Sequence, residues 1–350
     1  MARPRFSDAQ GEDDRNLGII FTGGGMTIAD MTRVAQAAEA AGFGLLAVAE
    51  AWRSAWVPLT AMAAATERVR LAPYVVNAYG HSPLFTGMAA IDFADFVGSR
   101  LVLGVGGGNR IINEQWQGIP HARVLTKMRE YVTLLQHMAR TPAGARLSFE
   151  GAVHHMDWTP SVPPPAQPFP VYLAAVFPRM LDVAAAVADG IAGGATLGAD
   201  YLRDTLRPHA ARAAEAAGRD PATLAWSAVA ITAVDEDRQQ ARRWAREALC
   251  HLYAPLPHPY YEHTMREQGF GAVADALLDL APAGDLDAAC AAIPDDCIDA
   301  LTIAGTAADC RARVAAYDGL VDHLLLLNAR PPQPGAALAG YTRLLTLARR

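Results

Sequence analysis

Cysteine is scarce in this chain and carries no pattern. Cys250, Cys290, Cys297 and Cys310 are the four, and no two stand at CxxC spacing. No histidine cluster accompanies them, so a zinc ribbon or a disulfide-built scaffold is excluded and a reduced, cytoplasmic setting is expected. Dense Lys/Arg tracts are missing and the formal net charge is −6, which disfavours nucleic acid or an anionic membrane as partner. No apolar run reaches membrane-spanning length without a charge, Gly or Pro. The opening MARPRFSDAQGEDDRN has no apolar core, so it reads as a flexible polar tail over residues 1–16 and not as a signal peptide. HExxH, a carboxylate-rich cluster and GxSxG are all absent, so neither a metal nor a serine nucleophile is expected. His154-His155 looks like a metal pair, but neighbours on a strand point to opposite faces.

What is present is an ordinary globular composition, 52% hydrophobic and 19% charged over 350 residues. Eight short apolar runs stand out: Leu17–Phe21, Leu45–Ala49, Val69–Val75, Leu101–Val105, Val171–Ala175, Gly190–Ala192, Leu224–Val234 and Asp322–Leu327. They rarely alternate, as suits strands buried on both faces. Helical patterns follow most of them, at Thr27–Ala41, Leu59–Thr66, Phe85–Val97, Met180–Ala188, Ala199–Ala217, Asp237–Cys250 and Gly335–Leu347. Eight βα units predict an α/β fold, a (β/α)8 TIM barrel forming one domain over 17–350; a doubly wound open sheet is the alternative.

Two connections are long. Gly106 to Pro170 holds a helical stretch at Val124–Arg140, a candidate hairpin at Leu147–Trp158 and a Pro-rich bend. His251 to Leu320 opens on a stretch rich in His, Tyr and Pro and then turns helical. Insertions after barrel strands 4 and 7 suit lids or substrate walls; added bulk or a subunit contact is the other reading.

Ligands of such barrels lie at the carboxyl ends of the strands. Glu50 closes the second strand as a candidate general acid/base, or else as an ion-paired or capping carboxylate. Asn77, Tyr79 and His81 follow the third strand, with groups that hydrogen-bond a heterocycle or move a proton. Gly106-Gly107-Gly108-Asn109 follows the fourth, and Gly193-Gly194 the sixth. Successive glycines let backbone N–H groups approach a ligand, though a plain tight turn fits the same spacing.

These stretches resemble the bacterial luciferase-like superfamily, and within it the coenzyme F420-dependent oxidoreductases. Val75-Val-Asn77-Ala-Tyr79-Gly-His81-Ser-Pro83 is close to the family's V-T-N-P-Y-T-R-H-P, and Ser99-Arg100-Leu-Val-Leu-Gly104-Val-Gly106 to its S-G-R-x-x-L-G-x-G. Val171–Met180 with Ala188-Asp189-Gly190 also matches family usage, as do Ile293–Asp296 and Ala304-Gly305-Thr306. The chain departs from the pattern at Ala78 and His81, where the family has Pro and Arg, and at Val176, Phe177 and Asn109. It also lacks the Asp that often follows an S-R pair after the second strand.

The resemblance implies a (β/α)8 barrel that binds a deazaflavin or flavin at the strand ends. It implies a non-prolyl cis peptide at Tyr74–Val75, with Asn77 at the ring's polar edge and Gly106, Gly107 and Gly108 along the ring. Ala175, Val176 and Phe177 would offer N–H groups to phosphate; Gly193 and Gly194, in a loop after a late barrel strand, are a second phosphate candidate apart from the resemblance. The expected function is hydride transfer between F420 and a small, largely apolar substrate. Glu50, His81 or Asn109 would polarise or protonate it, and Trp52, Trp56, Trp116 and Tyr260 would wall it. An FMN-dependent monooxygenase is the alternative, and a non-catalytic cofactor-binding barrel a third reading. A homodimer is expected.

Overall fold

The structure is a computed structural model, and it describes residues 17–253, 258–332 and 336–348. The strands are β1 (Leu17–Phe21), β2 (Leu45–Val48), β3 (Arg70–Pro73), β4 (Val76–Asn77), β5 (Leu103–Gly106), β6 (Leu147–Glu150), β7 (His155–Trp158), β8 (Val171–Ala174), β9 (Gly190–Ala192), β10 (Ala225–Val234), β11 (Thr302–Gly305) and β12 (His323–Asn328). Ten of them form one parallel sheet, along the path β3-β2-β1-β12-β10-β9-β8-β5-β4, with β11 added onto β10. β3 and β4 are two halves of the third barrel strand, and a bridge from Leu71 to Leu101 joins that strand to the next. Counted this way the barrel has its eight positions, so the open-sheet alternative falls.

The interruption is a cis peptide at Tyr74–Val75, where the resemblance puts it. The apolar run Val69–Val75 is therefore a strand only to Pro73. Side chains alternate across the barrel wall. Ile19, Phe21, Leu46, Val48, Leu71, Leu103 and Leu173 pack in one cluster with the surrounding helices. Ile20, Leu45, Ala47, Ala72, Tyr74, Tyr172 and Leu325 belong to a second cluster. Burial on both faces explains why these strands read as unbroken apolar runs.

Helices cover the outside. Ile28–Ala41 starts on a capping box between Thr27 and Asp30 and stops at Gly42, whose φ of 101° favours glycine. Pro83–Val97 starts with Ser82 accepting from the N–H of Phe85. This places His81 at the very mouth of that helix.

The first long connection contains a helix, Val124–Met138, and the antiparallel hairpin β6–β7. The second contains five helices between Pro259 and Ala315, and also β11, whose residues 302–305 pair with Ile231–Val234. A strand there is a correction to the purely helical expectation. The expected tail, residues 1–16, lies outside the described residues, as do residues 254–257 of the His/Tyr/Pro stretch. No described helix is long and apolar enough to cross a membrane.

Candidate active site

The site begins at the break in the third strand. Tyr74 is buried, and its hydroxyl donates to Gly193 O at 2.6 Å and lies 2.9 Å from Ser227 Oγ. Burial pushes its hydroxyl well above the usual phenol range. The Val75 side chain occupies the space beside two glycines. A Cβ on Gly106 would come within 2.7 Å of Val75 Cγ2, and one on Gly104 within 3.1 Å of Val75 Cγ1. The second glycine loop is capped by Tyr260, whose hydroxyl donates to Ala195 O at 3.2 Å and occupies the space a Cβ on Gly194 would need. Tyr74, Val75, Gly106, Gly193, Gly194 and Tyr260 are thus joined in one run of contacts.

Glu50 and His81 meet. His81 Nε2 lies 3.2 Å from Glu50 Oε2, and the same carboxylate accepts from the N–H groups of Asn77 at 3.1 Å and Ala55 at 3.4 Å. Burial opposes ionisation of Glu50, yet the His81 hydrogen bond and charge, with the two N–H groups, hold its pKa below the usual range. The Glu50 hydrogen bond raises the His81 pKa, burial opposes, and the carboxylate charge adds to the rise. Among the described residues no acceptor takes His81 Nδ1.

Behind this pair lies an amide network. Asn77 Oδ1 accepts from the Tyr79 N–H at 2.9 Å, and Asn77 Nδ2 donates to Asn113 Oδ1 at 2.8 Å. Asn113 Nδ2 donates to Gly107 O at 2.8 Å and lies 2.8 Å from His121 Nδ1. Gly108 has a φ of +65°, and a Cβ there would strike the Asn77 amide at 2.7 Å, so the loop needs glycine twice over. Asn109 is buried, and its Oδ1 accepts from the Ile111 N–H at 2.8 Å; its side chain holds the turn into the next helical segment.

Toward the rim, the rings of Trp52 and Trp116 stand 5.0 Å apart and both are exposed. Trp56 is elsewhere. It opens the helix Trp56–Ala64 and meets Phe93 on the neighbouring helix at 5.7 Å, so it does not join the other two tryptophans. Phe177 stacks on His263 at 4.6 Å and stands at the N-terminus of the helix Pro178–Val187, which no side chain caps. The N–H groups of Ala175, Val176 and Phe177 donate to no backbone acceptor among the described residues. Free N–H groups at a helix N-terminus suit an anion.

Asn113, His121, Ser227 and His263 escaped sequence reasoning. Each is a polar residue inside a loop, a helix or an apolar strand, with no spacing that marks it. Only the richness of the second insertion in His and Tyr pointed toward His263.

The model of the family described as luciferase-like monooxygenase matches residues 8–324. The chain is 28% identical, over 263 residues, to the 5,10-methylenetetrahydromethanopterin reductase of Archaeoglobus fulgidus, covering 75% of this chain and 77% of that one. Among solved structures, the coenzyme F420-dependent tetrahydromethanopterin reductase of Methanopyrus kandleri superposes with a TM-score of 0.77 at 19% identity, covering 94% of this chain and 97% of that chain. An F420-dependent secondary alcohol dehydrogenase superposes with a TM-score of 0.75 at 15% identity, covering 96% of this chain and 100% of that chain. The two superpositions bear on the fold alone.

Proposed function

The chain belongs to the luciferase-like monooxygenase family, and from that membership we propose that it is a coenzyme F420-dependent oxidoreductase. The observation that carries this reading is one mouth holding both a glycine-lined cradle and a carboxylate-held imidazole. The cradle is Val75 with Gly106, Gly107 and Gly108, where a side chain at Gly106 has no room. The reductase name of the Archaeoglobus fulgidus relative supports it. Bound F420 supplies hydride exchange at C5 of its deazaflavin ring.

The chain's own residues do the rest. Gly106 and Gly108 let the loop close on Val75 and Asn77, and the wall so formed offers backbone to a flat ring. Ala175, Val176 and Phe177 offer N–H groups to phosphate. His81, whose pKa the Glu50 hydrogen bond raises, is favoured as a cation and then offers the Nδ1 proton to an acceptor atom of the substrate. Trp52, Trp116 and Tyr260 favour a small, largely apolar substrate carrying an activated C=C, C=N or C=O. Asn109 stabilises its loop, a positioning role in this reading, and Trp56 faces another helix.

Parallel titration with F420 and FMN, read by quenching of tryptophan fluorescence, tests the reading. Tight F420 binding with FMN much weaker is the expected result. The reverse preference overturns it in favour of an FMN-dependent monooxygenase, and oxygen uptake then becomes the assay. We also infer a cytoplasmic homodimer. Val57, Phe85, Met88 and Phe96 are exposed apolar residues on the helices Trp56–Ala64 and Pro83–Val97. Such a face suits a second copy. Light scattering on the wild type and on Phe85→Glu reads the mass.

A further inference from the structure

The amide network behind the glycine loop has a consequence for an imidazole outside the Glu50–His81 pair. We propose that Asn113 locks His121 as a neutral ring with its hydrogen on Nε2, and that this N–H faces the ligand as a donor to an acceptor oxygen or nitrogen of the bound cofactor. The second half rests on the cofactor reading above; the first half stands on the geometry alone.

Two backbone groups in the network, the Tyr79 N–H and the Gly107 carbonyl, have fixed roles. The Tyr79 N–H is only a donor, so the Asn77 atom 2.9 Å from it is the carbonyl oxygen. Asn77 then turns its NH2 to Asn113, whose facing atom at 2.8 Å must accept and is Oδ1. At the other end Gly107 O is only an acceptor, so the Asn113 atom 2.8 Å away is the NH2. Both ends demand the same orientation of Asn113. Flipping either amide would set N–H against N–H, or oxygen against oxygen. The second NH2 hydrogen of Asn113 meets His121 Nδ1 at 2.8 Å, which therefore carries a lone pair. A neutral imidazole with an acceptor at Nδ1 has its hydrogen on Nε2.

The ring is held as well as polarised. It stacks on Tyr79 at 4.8 Å, while Tyr79 anchors its own hydroxyl on Ala122 O at 2.6 Å and carries Lys127 Nζ at 4.7 Å. The ring edge lies 3.9 Å from the position of a Cβ on Gly107, which puts it on the wall of the glycine loop. Among the described residues nothing accepts from Nε2.

Four charged or titratable groups bear on this ring. Glu114 accepts from the His121 backbone N–H at 3.2 Å and favours a charge; Arg110, paired with Glu114, opposes one; Lys127 sits over the Tyr79 ring on which His121 stacks; His258 is a neighbouring imidazole. Burial dominates and lowers the pKa. Two imidazoles at one mouth are thus driven apart, His81 toward the cation and His121 toward the neutral donor. That is the arrangement by which sites separate acid from donor.

The test is imidazole nitrogen NMR on the whole 15N-histidine-labelled chain, scanned between about pH 5 and about pH 8. The expected His121 signals are an unprotonated Nδ1 and a protonated Nε2 throughout most of that range. A His121 that is charged near neutrality, or that carries its hydrogen on Nδ1, overturns the lock. Asn113→Asp replaces the NH2 with a carboxylate oxygen, so the hydrogen should move to Nδ1 and the ring should titrate at higher pH. The wild-type spectrum decides the matter even where that variant fails to fold.

Saturation with F420, or with FMN where FMN binds, should shift the His121 Nε2–H signal. His121→Phe should weaken binding about ten-fold, a single lost hydrogen bond, and His121→Gln should restore most of it. An unmoved signal overturns the ligand-facing half. If neither cofactor binds, that half falls with the function it rests on, while the tautomer is judged on the unliganded protein.

Discussion

Two carboxylates, one at each end of the barrel, show how similar contacts serve different ends. Glu39 lies near the amino end of the third strand and accepts from the N–H groups of Glu67, Arg68 and Val69, at 3.0, 2.6 and 2.8 Å. Glu50 lies at the carboxyl end of the second strand and accepts from Asn77 and Ala55. Both are held below the usual pKa range against the opposing effect of burial. The difference is the last partner. Backbone donors fill Glu39, and a backbone N–H does not titrate. Glu50 keeps an oxygen for His81, which does. The rest of each end follows suit. At the amino end Asp189 accepts from the Val171 N–H at 2.9 Å, and Asp322 from the Trp226 N–H at 2.7 Å. The carboxyl end collects imidazoles, amides and glycine loops. A carboxylate that closes a turn and one that holds a proton in place look alike until their partners are named.

Removing each carboxylate breaks the comparison in opposite ways. The largest effect is expected of Glu50→Ala, which should lower kcat/KM by about 100-fold, some 2.7 kcal/mol of barrier. Its F420 affinity should stay within a few-fold. His81→Ala should match it, and the double variant should be little worse than either, because the two act as a unit. Steady-state kinetics on the three variants decides; additive losses would mean that the pair does not act together. Next in size is Glu39→Ala. It should cost about 2 kcal/mol of stability, since one carboxylate accepts several backbone N–H groups, and leave kcat/KM unchanged. Urea unfolding alongside the same assay reads both. A loss of activity in the folded Glu39→Ala protein would erase the proposed division between the two ends.

Much of this barrel was legible because its strands are buried on both faces. Leu17–Phe21 and Gly190–Ala192 have the predicted bounds, and the other apolar runs lie within a few residues of theirs. β11 was hidden because Thr302–Gly305 follows the helix Asp295–Leu301 directly and pairs only with the far end of β10. The break at Tyr74–Val75 is silent in the apolar pattern, and only the family resemblance pointed to it. For the site, strand ends located Glu50 and His81 separately; nothing in a sequence says that residues 31 positions apart share a hydrogen bond. Asn113 and His121 were illegible for a further reason. Their role depends on the direction of two amide groups, which tertiary contact decides. Trp56 misled because it is close in sequence to Trp52, yet it begins a helix and so turns to Phe93.

The smallest expected effect sharpens the comparison most, because it concerns sign. The His81 pKa is raised above the ordinary 6.5, so its contribution to stability is complete below 6.5 and is lost as pH rises through the folded value. The Glu50 pKa is lowered below the ordinary 4.5, so its contribution is complete above 4.5 and is lost as pH falls through the folded value. The pair is therefore fully effective between 4.5 and 6.5 and fades on both sides. The His81 side chain is 39% exposed, so solvent screening limits the gain to about 1 kcal/mol or less. Urea midpoints of wild type and His81→Gln should differ most inside that window and converge above it. Glu39 has only the acid limb: its contribution is complete above 4.5 and has no alkaline loss. Wild type and Glu39→Ala should therefore keep a constant gap toward alkaline pH. A gap for His81→Gln that widened with rising pH would mean that His81 is held neutral. The division of labour between the two imidazoles would then collapse, leaving the mouth of the barrel with donors and no acid.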